Sequence, residues 1–465
     1  MAASIPYPSS ALKDQALALL HPAFIGTVAQ ELGLTWRDTP LALPNLVALF
    51  ARQVLGGNLS MPELARRAGS RFTPEAYCTA RMKLPIPLLH ALLRKLGDLG
   101  QAYLGQRPQM RWKGHRLWHM DGPGISMPDT PELQACFGQS GNQKPGCGFP
   151  VAHVLCLFDV AGGLLGDCII APLRTHDLAD ASKLHPGLGR GDVLVADRAC
   201  ESYTHVALLQ AAGLHGIFPA HQQRRIDFRC KRRKRARYPR QGARRPTGGR
   251  RTARRRRPIY DREVVRSCGR RDHIVRWRKP TNQPRWMTPE AFDALPHTIE
   301  VRELRRRVGF ADGRQREITL VTTLTDERRY PAEELIAVLQ ARWAVETNLR
   351  HLKTTMKMNV LRSQTVAGVQ KELWMYMIVY NAVRLVMLAA AAQQRVAVHR
   401  ISFADALYWV RHGDLNRPLP ALQIVPHRPD RLEPRVRKRN DDHYGLMTQP
   451  RAQMRKALLR KGVRR

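Results

Sequence analysis

One carboxylate stands among three cations in the stretch Arg342-Trp-Ala-Val-Glu346-Thr-Asn-Leu-Arg350-His-Leu-Lys353. On a continuous helix Arg342, Glu346, Arg350 and Lys353 lie at i, i+4, i+8 and i+11, on one face. Pro331 is a good first helical residue. Leu335, Ile336, Leu339, Trp343, Leu349 and Leu352 recur at helical spacing, so the pattern predicts one unbroken helix through Lys353. Such a face has two readings. It is either a salt-bridged solvent surface, or a metal-binding carboxylate with cations placed to grip phosphates.

Two further acids bear on that choice. Arg116-Leu-Trp-His-Met-Asp121 reads as a strand ending at an acid, followed by the turn Gly122-Pro123-Gly124. Asp192-Val-Leu-Val-Ala-Asp197-Arg198 reads as a buried strand with the same ending. In open α/β sheets, sites form at the carboxyl ends of strands. An unpaired acid at the end of an apolar strand is costly unless a cation neutralises it. Hard oxygen donors without a Cys or His cluster favour Mg²⁺ or Mn²⁺ over zinc. Two such ions suit in-line phosphoryl transfer.

The chain has 465 residues and a formal net charge of +39. Its length allows two to four domains with a sizeable core. The charge, mostly arginine, argues for a polyanionic partner, first of all nucleic acid. None of the eight cysteines forms a C-x-x-C pair, so a zinc site or disulfide framework is not expected and a reducing cytosol fits. The N-terminus has no signal-peptide pattern. Leu373 to Ala392 is apolar but is interrupted by Asn381 and Arg384, which predicts a buried core helix rather than a membrane span.

Several elements must position these residues. Residues 1–105 read as helical. Ser60 and Glu63 form a capping box, Gly69 ends that helix and Thr73 caps the next. Two short helices at a glycine turn fit either a helix-turn-helix, with Arg71, Arg81 and Lys83 as DNA contacts, or an ordinary helical bundle. Val151 to Val160 and Leu164 to Leu173, joined at Ala161-Gly-Gly, predict a β-hairpin. Strands and helices then alternate into a mixed α/β core. Arg224 to Arg257 is dense in arginine with only Asp227 acidic, and reads as an arm that holds nucleic acid by charge. The segment after it leans towards strands up to Thr323.

Together these features resemble the IS4-type DDE transposases, a bacterial insertion-sequence family. Arg342, Glu346 and Lys353 match the last three positions of its signature Tyr-x2-Arg-x3-Glu-x6-Lys. Leu339 stands where the signature has Tyr, and Tyr330 lies nine residues before that position. Asp121-Gly122 resembles the family's first catalytic acid, and Asp197-Arg198 its second. The gap from Asp197 to Glu346 resembles a β-rich insertion into an RNase H-like core.

The resemblance implies an α/β fold, with an RNase H-like mixed-sheet core, a β-rich insertion and a helical N-terminal DNA-binding domain. The division expected is 1–105 helical, 106–220 first part of the core, 221–313 basic arm and insertion, 314–395 second part of the core, and 396–465 a basic C-terminal region. It implies that Asp121, Asp197 and Glu346 ligate two Mg²⁺ or Mn²⁺ ions, for cleavage of a DNA strand and attack by the freed 3′-OH. Arg342, Lys353, Arg350 and Arg198 would hold phosphates. Trp277 and Trp286 would offer rings to an unstacked base. The implied setting is a homodimer on double-stranded DNA in the bacterial cytoplasm, associated with the nucleoid and no membrane. A DNA-binding protein without catalysis and a nuclease that cuts without joining are the competing readings.

Overall fold

The computed structural model describes residues 9–173, 177–222, 224, 226–228, 262–309, 315–414, 417–426 and 447–460. The first helices are α1 (Ser9–Ala18), α2 (Pro22–Glu31), α3 (Leu43–Leu55), α4 (Met61–Arg67), α5 (Pro74–Lys83) and α6 (Ile86–Gly105). Next come β1 (Leu117–Asp121), β2 (Gly124–Ser126), α7 (Pro131–Phe137), β3 (Val151–Asp159), β4 (Leu165–Pro172) and α8 (Asp177–Ala181). They are followed by β5 (Val193–Ala196), α9 (Tyr203–Ala211), β6 (His215–Pro219), β7 (Arg262–Gly269), β8 (Asp272–Arg278), α10 (Pro289–Asp293), β9 (Thr298–Gly309) and β10 (Gln315–Thr322). The chain closes with α11 (Ala332–Ala341), α12 (Ala344–Arg350), α13 (Val366–Gln393), α14 (Phe403–His412) and α15 (Arg451–Arg460). This is the mixed α/β class expected. Two compact units divide it: Met1–Gly114, Asp121–Thr175 and Ala344–Arg465 form one, His115–Met120 and His176–Trp343 the other.

The first unit is built around α13, which packs against α1, α3, α6 and α14. By length and apolarity α13 passes as a membrane span, yet 94% of its most apolar window is buried in protein. Its polar residues are paired, as burial demands. Asn381 closes two bonds with Leu165, accepting from its N–H at 2.8 Å and donating to its carbonyl at 2.7 Å. The Arg384 Nε donates to the Gly162 carbonyl at 3.0 Å. Both residues that interrupt the apolar run therefore grip the β3–β4 hairpin. That hairpin turns on Gly163, whose φ of +66° is one an L side chain rarely adopts. Glu372, fully buried, accepts from the Asn58 Nδ2 at 2.5 Å and the Ser363 N–H at 3.0 Å.

The N-caps before α4 and α5 form, although the Glu63 carboxylate accepts from Arg67 at 2.7 Å instead of closing a capping box. Ser60 accepts from the Glu63 N–H and Thr73 from the Ala76 N–H. Arg81 is not an exposed DNA contact. It is buried over the Phe50 ring and donates to Gln53 and Ser363. Arg71 and Lys83 are exposed.

In the second unit β1, β5 and β6 run parallel, β10 joins β6 antiparallel, and β9, β8 and β7 extend the ladder antiparallel. Arg302, almost fully buried, pairs with Asp272 through two bonds of 2.8 and 2.7 Å. Arg116 grips Asp192 in the same forked way, and the Trp118 indole donates to that carboxylate at 2.9 Å. These charges are satisfied in place, as buried ions require.

Candidate active site

β1 and β5 are parallel neighbours whose last register pair is Met120 with Ala196. The next residue on each strand is an aspartate, so Asp121 and Asp197 leave the same end of adjacent strands. Both are half-buried. The Asp121 Oδ1 accepts the Gly122 N–H at 2.8 Å. Gly122 must lack a side chain, because a Cβ there would lie 2.4 Å from the Val154 carbonyl oxygen. The Asp197 Oδ1 accepts the Ala199 N–H at 2.8 Å and so caps the short 3₁₀ turn Arg198–Cys200. Each carboxylate thus has one oxygen tied to its own backbone, which fixes its orientation. Arg198 is exposed beside it.

The single helix expected from Pro331 to Lys353 is broken. α11 ends at Ala341, and α12 begins at Ala344. The Arg342 and Trp343 N–H groups bond back three residues, to Leu339 and Gln340, both at 3.3 Å. This tight turn interrupts the i→i−4 ladder without any proline or glycine. A second irregularity comes after α12, a π turn over His351–Thr355. Arg342 therefore does not share one uninterrupted helical face with Glu346, Arg350 and Lys353. It belongs to the strand-rich unit, and the other three to the helical unit.

Glu346 is exposed in the first turn of α12, where the helix dipole favours an acid. Arg350 is exposed at the last turn. The Lys353 ammonium donates to the Gly124 carbonyl at 3.1 Å. This bond brings Lys353 to the turn that begins at Asp121. Arg342 is half-buried and lies near enough to His119 for its charge to act on that imidazole. His119 is buried on β1, two residues before Asp121. Burial first, and Arg342 second, hold its pKa down at about 4, so the ring is neutral.

Among the described residues no group of three or more His, Cys, Asp or Glu side chains is gathered closely enough to hold a metal ion. The structure brings Asp121 and Asp197 to neighbouring strand ends and Lys353 to the Asp121 turn. The donor chemistry suits a hard divalent cation, since these carboxylates are pre-oriented oxygen donors with no thiolate among them.

Trp277 does not stack on a base. Its ring is 2% exposed, its indole N–H donates to Glu303 at 2.9 Å, and the Arg224 guanidinium stacks on it at 3.6 Å. It packs the insertion and offers no face to a base. Trp286 is half-buried in the loop before α10. Trp343 departs from the buried stripe as well. It is 63% exposed, with Arg342 over its ring at 6.0 Å. Periodicity puts it inward, at i+4 from Leu339. Only the break after α11 turns it out, and no sequence signal marks that break. Leu339 is buried, and the Tyr330 hydroxyl is 2.7 Å from the His115 Nε2, so neither serves an exposed phosphate. The arginine runs Lys231–Arg235 and Arg254–Arg257 lie outside the described residues.

The family model described as "Transposase DDE domain" matches residues 112–382. The Escherichia coli (strain K12) protein "Transposase InsG for insertion sequence element IS4" is 24% identical over 468 residues, covering 95% of this chain and 94% of the relative. A solved piggyBac transposase synaptic complex with hairpin DNA aligns at a TM-score of 0.41 and 10% identity, over 85% of this chain and 79% of that one.

Proposed function

The chain belongs to the DDE transposase family, and we propose on that basis that Asp121, Asp197 and Glu346 are the three carboxylates of its active site. Its activity is transposition of an IS4-type insertion sequence, by cleaving and joining DNA strands. The observation that supports the site is the β1–β5 register, which sets the two aspartates at one end of adjacent parallel strands. The Lys353 bond to Gly124 supports the inclusion of the Glu346 segment.

Chemistry in this family depends on divalent metal ions. We assign two Mg²⁺ or Mn²⁺ ions, which when bound supply Lewis-acid stabilisation of charge on the reacting oxygens. Asp121, Asp197 and Glu346 would hold them. The backbone bonds at Gly122 and Ala199 keep both aspartates aimed before DNA arrives, so little reorganisation is left for the reaction. Lys353, Arg342, Arg350 and Arg198 would hold the phosphates beside the cut. Arginine grips phosphate through two bonds, whereas Lys353 acts as a point charge. Trp286 and the exposed Trp343 are the rings we assign to base contacts. Residues 1–105 would bind DNA, 106–220 and 314–395 would build the core, 221–313 the arm and insertion, and 396–465 the basic C-terminal region. The working form we assign is a homodimer holding two DNA ends in the cytoplasm, on nucleoid DNA and away from membranes.

The test is incubation with Mg²⁺ and duplexes carrying the flanking inverted repeats of the element, beside Asp197→Ala. Strand joining by the parent chain alone is expected. Cutting without joining would make the protein a nuclease. Binding with no metal-dependent cleavage would leave it a DNA-binding protein.

A further inference from the structure

Asp197 is aimed by a turn that the fold grips from behind. Its Oδ1 caps the 3₁₀ turn Arg198–Cys200, and the Cys200 N–H bonds back to the Asp197 carbonyl at 3.2 Å. The turn closes on the Cys200 carbonyl, which accepts the Ser202 N–H at 3.0 Å and the His205 Nδ1–H at 2.8 Å. His205 stands in the first turn of α9, where the Ser202 hydroxyl holds its N–H at 3.2 Å, and its ring reaches back over that cap. On the other side of the ring, the His205 Nε2 lies 3.0 Å from the Nε2 of His185, in the 3₁₀ turn Ser182–Gly187. His205 is fully buried and His185 nearly so.

These contacts fix the protons. A carbonyl only accepts, so His205 carries its hydrogen on Nδ1 and keeps a lone pair at Nε2. His185 must then donate to it through its own Nε2–H. Burial is the main cause that holds both pKa values well below the ordinary histidine value, and for His185 the His205 ring adds to it, so both rings are neutral. Neither ring belongs to the carboxylates and cations assigned to the chemistry. We propose that His205, oriented by His185, is a positioning residue for strand transfer: it holds the Cys200 carbonyl and so keeps the Asp197 carboxylate aimed at its metal ion. The proposal rests on Asp197 being one of the three active-site carboxylates. Removing a group that orients a metal-binding side chain costs roughly 10–100-fold in metal affinity or activity.

The experiment uses the full chain. His205→Leu removes the donor at nearly constant volume, whereas His205→Asn keeps it, because the amide nitrogen of Asn stands where the imidazole Nδ1 stands. Strand joining with Mg²⁺ is measured beside Asp197→Ala, together with Mn²⁺ affinity of the DNA-free protein, read from the electron paramagnetic resonance of unbound Mn²⁺. His205→Leu is expected to lower joining and Mn²⁺ affinity about tenfold or more, and His205→Asn to restore most of both, with gel-shift binding of the DNA ends retained in each. Equal losses in the two variants would make His205 a packing residue and overturn the proposal. Parent values in a folded His205→Leu, beside an inactive Asp197→Ala, would overturn the positioning role alone. Parent joining by Asp197→Ala would overturn the site itself, and the proposal with it. Should His205→Leu fail to fold, His185 decides. His185→Gln keeps a donor at the Nε2 position and should join at close to the parent rate, while His185→Leu should fall; equal rates in these two would overturn the proposal.

Discussion

Asp121 and Asp197 each give one carboxylate oxygen to a backbone N–H at 2.8 Å, at the ends of strands with a fixed register. Glu346 comes after one tightened turn and stands exposed on a seven-residue helix. A parallel ladder decides which way a strand-end side chain leaves, because hydrogen bonds on both sides hold the backbone. A helix broken at Arg342 loses that certainty at the break. The course of α12 beyond the break is then set by the burial of Val345 and Leu352 in the core, together with the Lys353 bond to Gly124. The contrast shows why acids can be pre-aimed on a sheet, while an acid on a short helix depends on a separate anchor.

The strand ends should give the largest effect. Asp197→Ala should cut strand joining by roughly a thousandfold or more, since losing several kcal/mol of transition-state stabilisation costs tenfold for each 1.36 kcal/mol. Gel-shift binding of the DNA ends should persist. Residual joining near the parent rate would remove Asp197 from the site.

Two tryptophans carry the same contrast between packed and exposed positions. Trp277→Ala should lower unfolding stability by about 3–5 kcal/mol in a urea melt, because a large buried ring leaves a cavity and strands the Glu303 acceptor. Trp343→Ala should leave the melt within about 0.5 kcal/mol, as exposed substitutions do.

The tether is the next test. Lys353→Ala removes a charge that meets Gly124 in the free protein and, in the proposed complex, a phosphate. A loss of about 10–100-fold in joining is expected, from roughly 1.5–3 kcal/mol for a charged hydrogen bond. The slope of log affinity against log salt should fall by about one. An unchanged slope would confine Lys353 to the protein's own turn.

The smallest effect is a pH dependence just beyond the Asp197 turn. Burial raises the Glu201 pKa from 4.5 to about 7, although Arg224 pulls the other way. Between those values the folded chain keeps a proton that the unfolded chain has released. Its contribution is therefore full below pH 4.5 and lost as pH rises through 7. Glu201→Gln should flatten the fall in stability across that window, measured by urea melts at several pH values. The same slope in parent and variant would exclude Glu201 as its source.

Much of this architecture is legible in the chain. The strand-end acids, the β3–β4 hairpin, the caps at Ser60 and Thr73, and the burial of α13 come from patterns that one element settles alone. The break after Ala341 does not, because a helix former such as Arg342 gives no local reason to stop. Nor do the fates of Trp277 and Arg81. Both depend on partners distant in sequence: Glu303 and Arg224 for the tryptophan, Gln53 and Ser363 for the arginine. For the same reason, no spacing announces the Lys353–Gly124 bond, which joins segments 229 residues apart.

The burial of α13 also bears on synthesis. An apolar helix of 28 residues reaches the ribosome exit after most of the chain is made. Its packing partners α1, α3 and α6 lie upstream, so they are already outside and waiting. The order of elements shortens the interval in which this segment is bare to aggregation or to membrane-insertion machinery. A chain that began after α6 would emit the same helix with three of its packing partners missing.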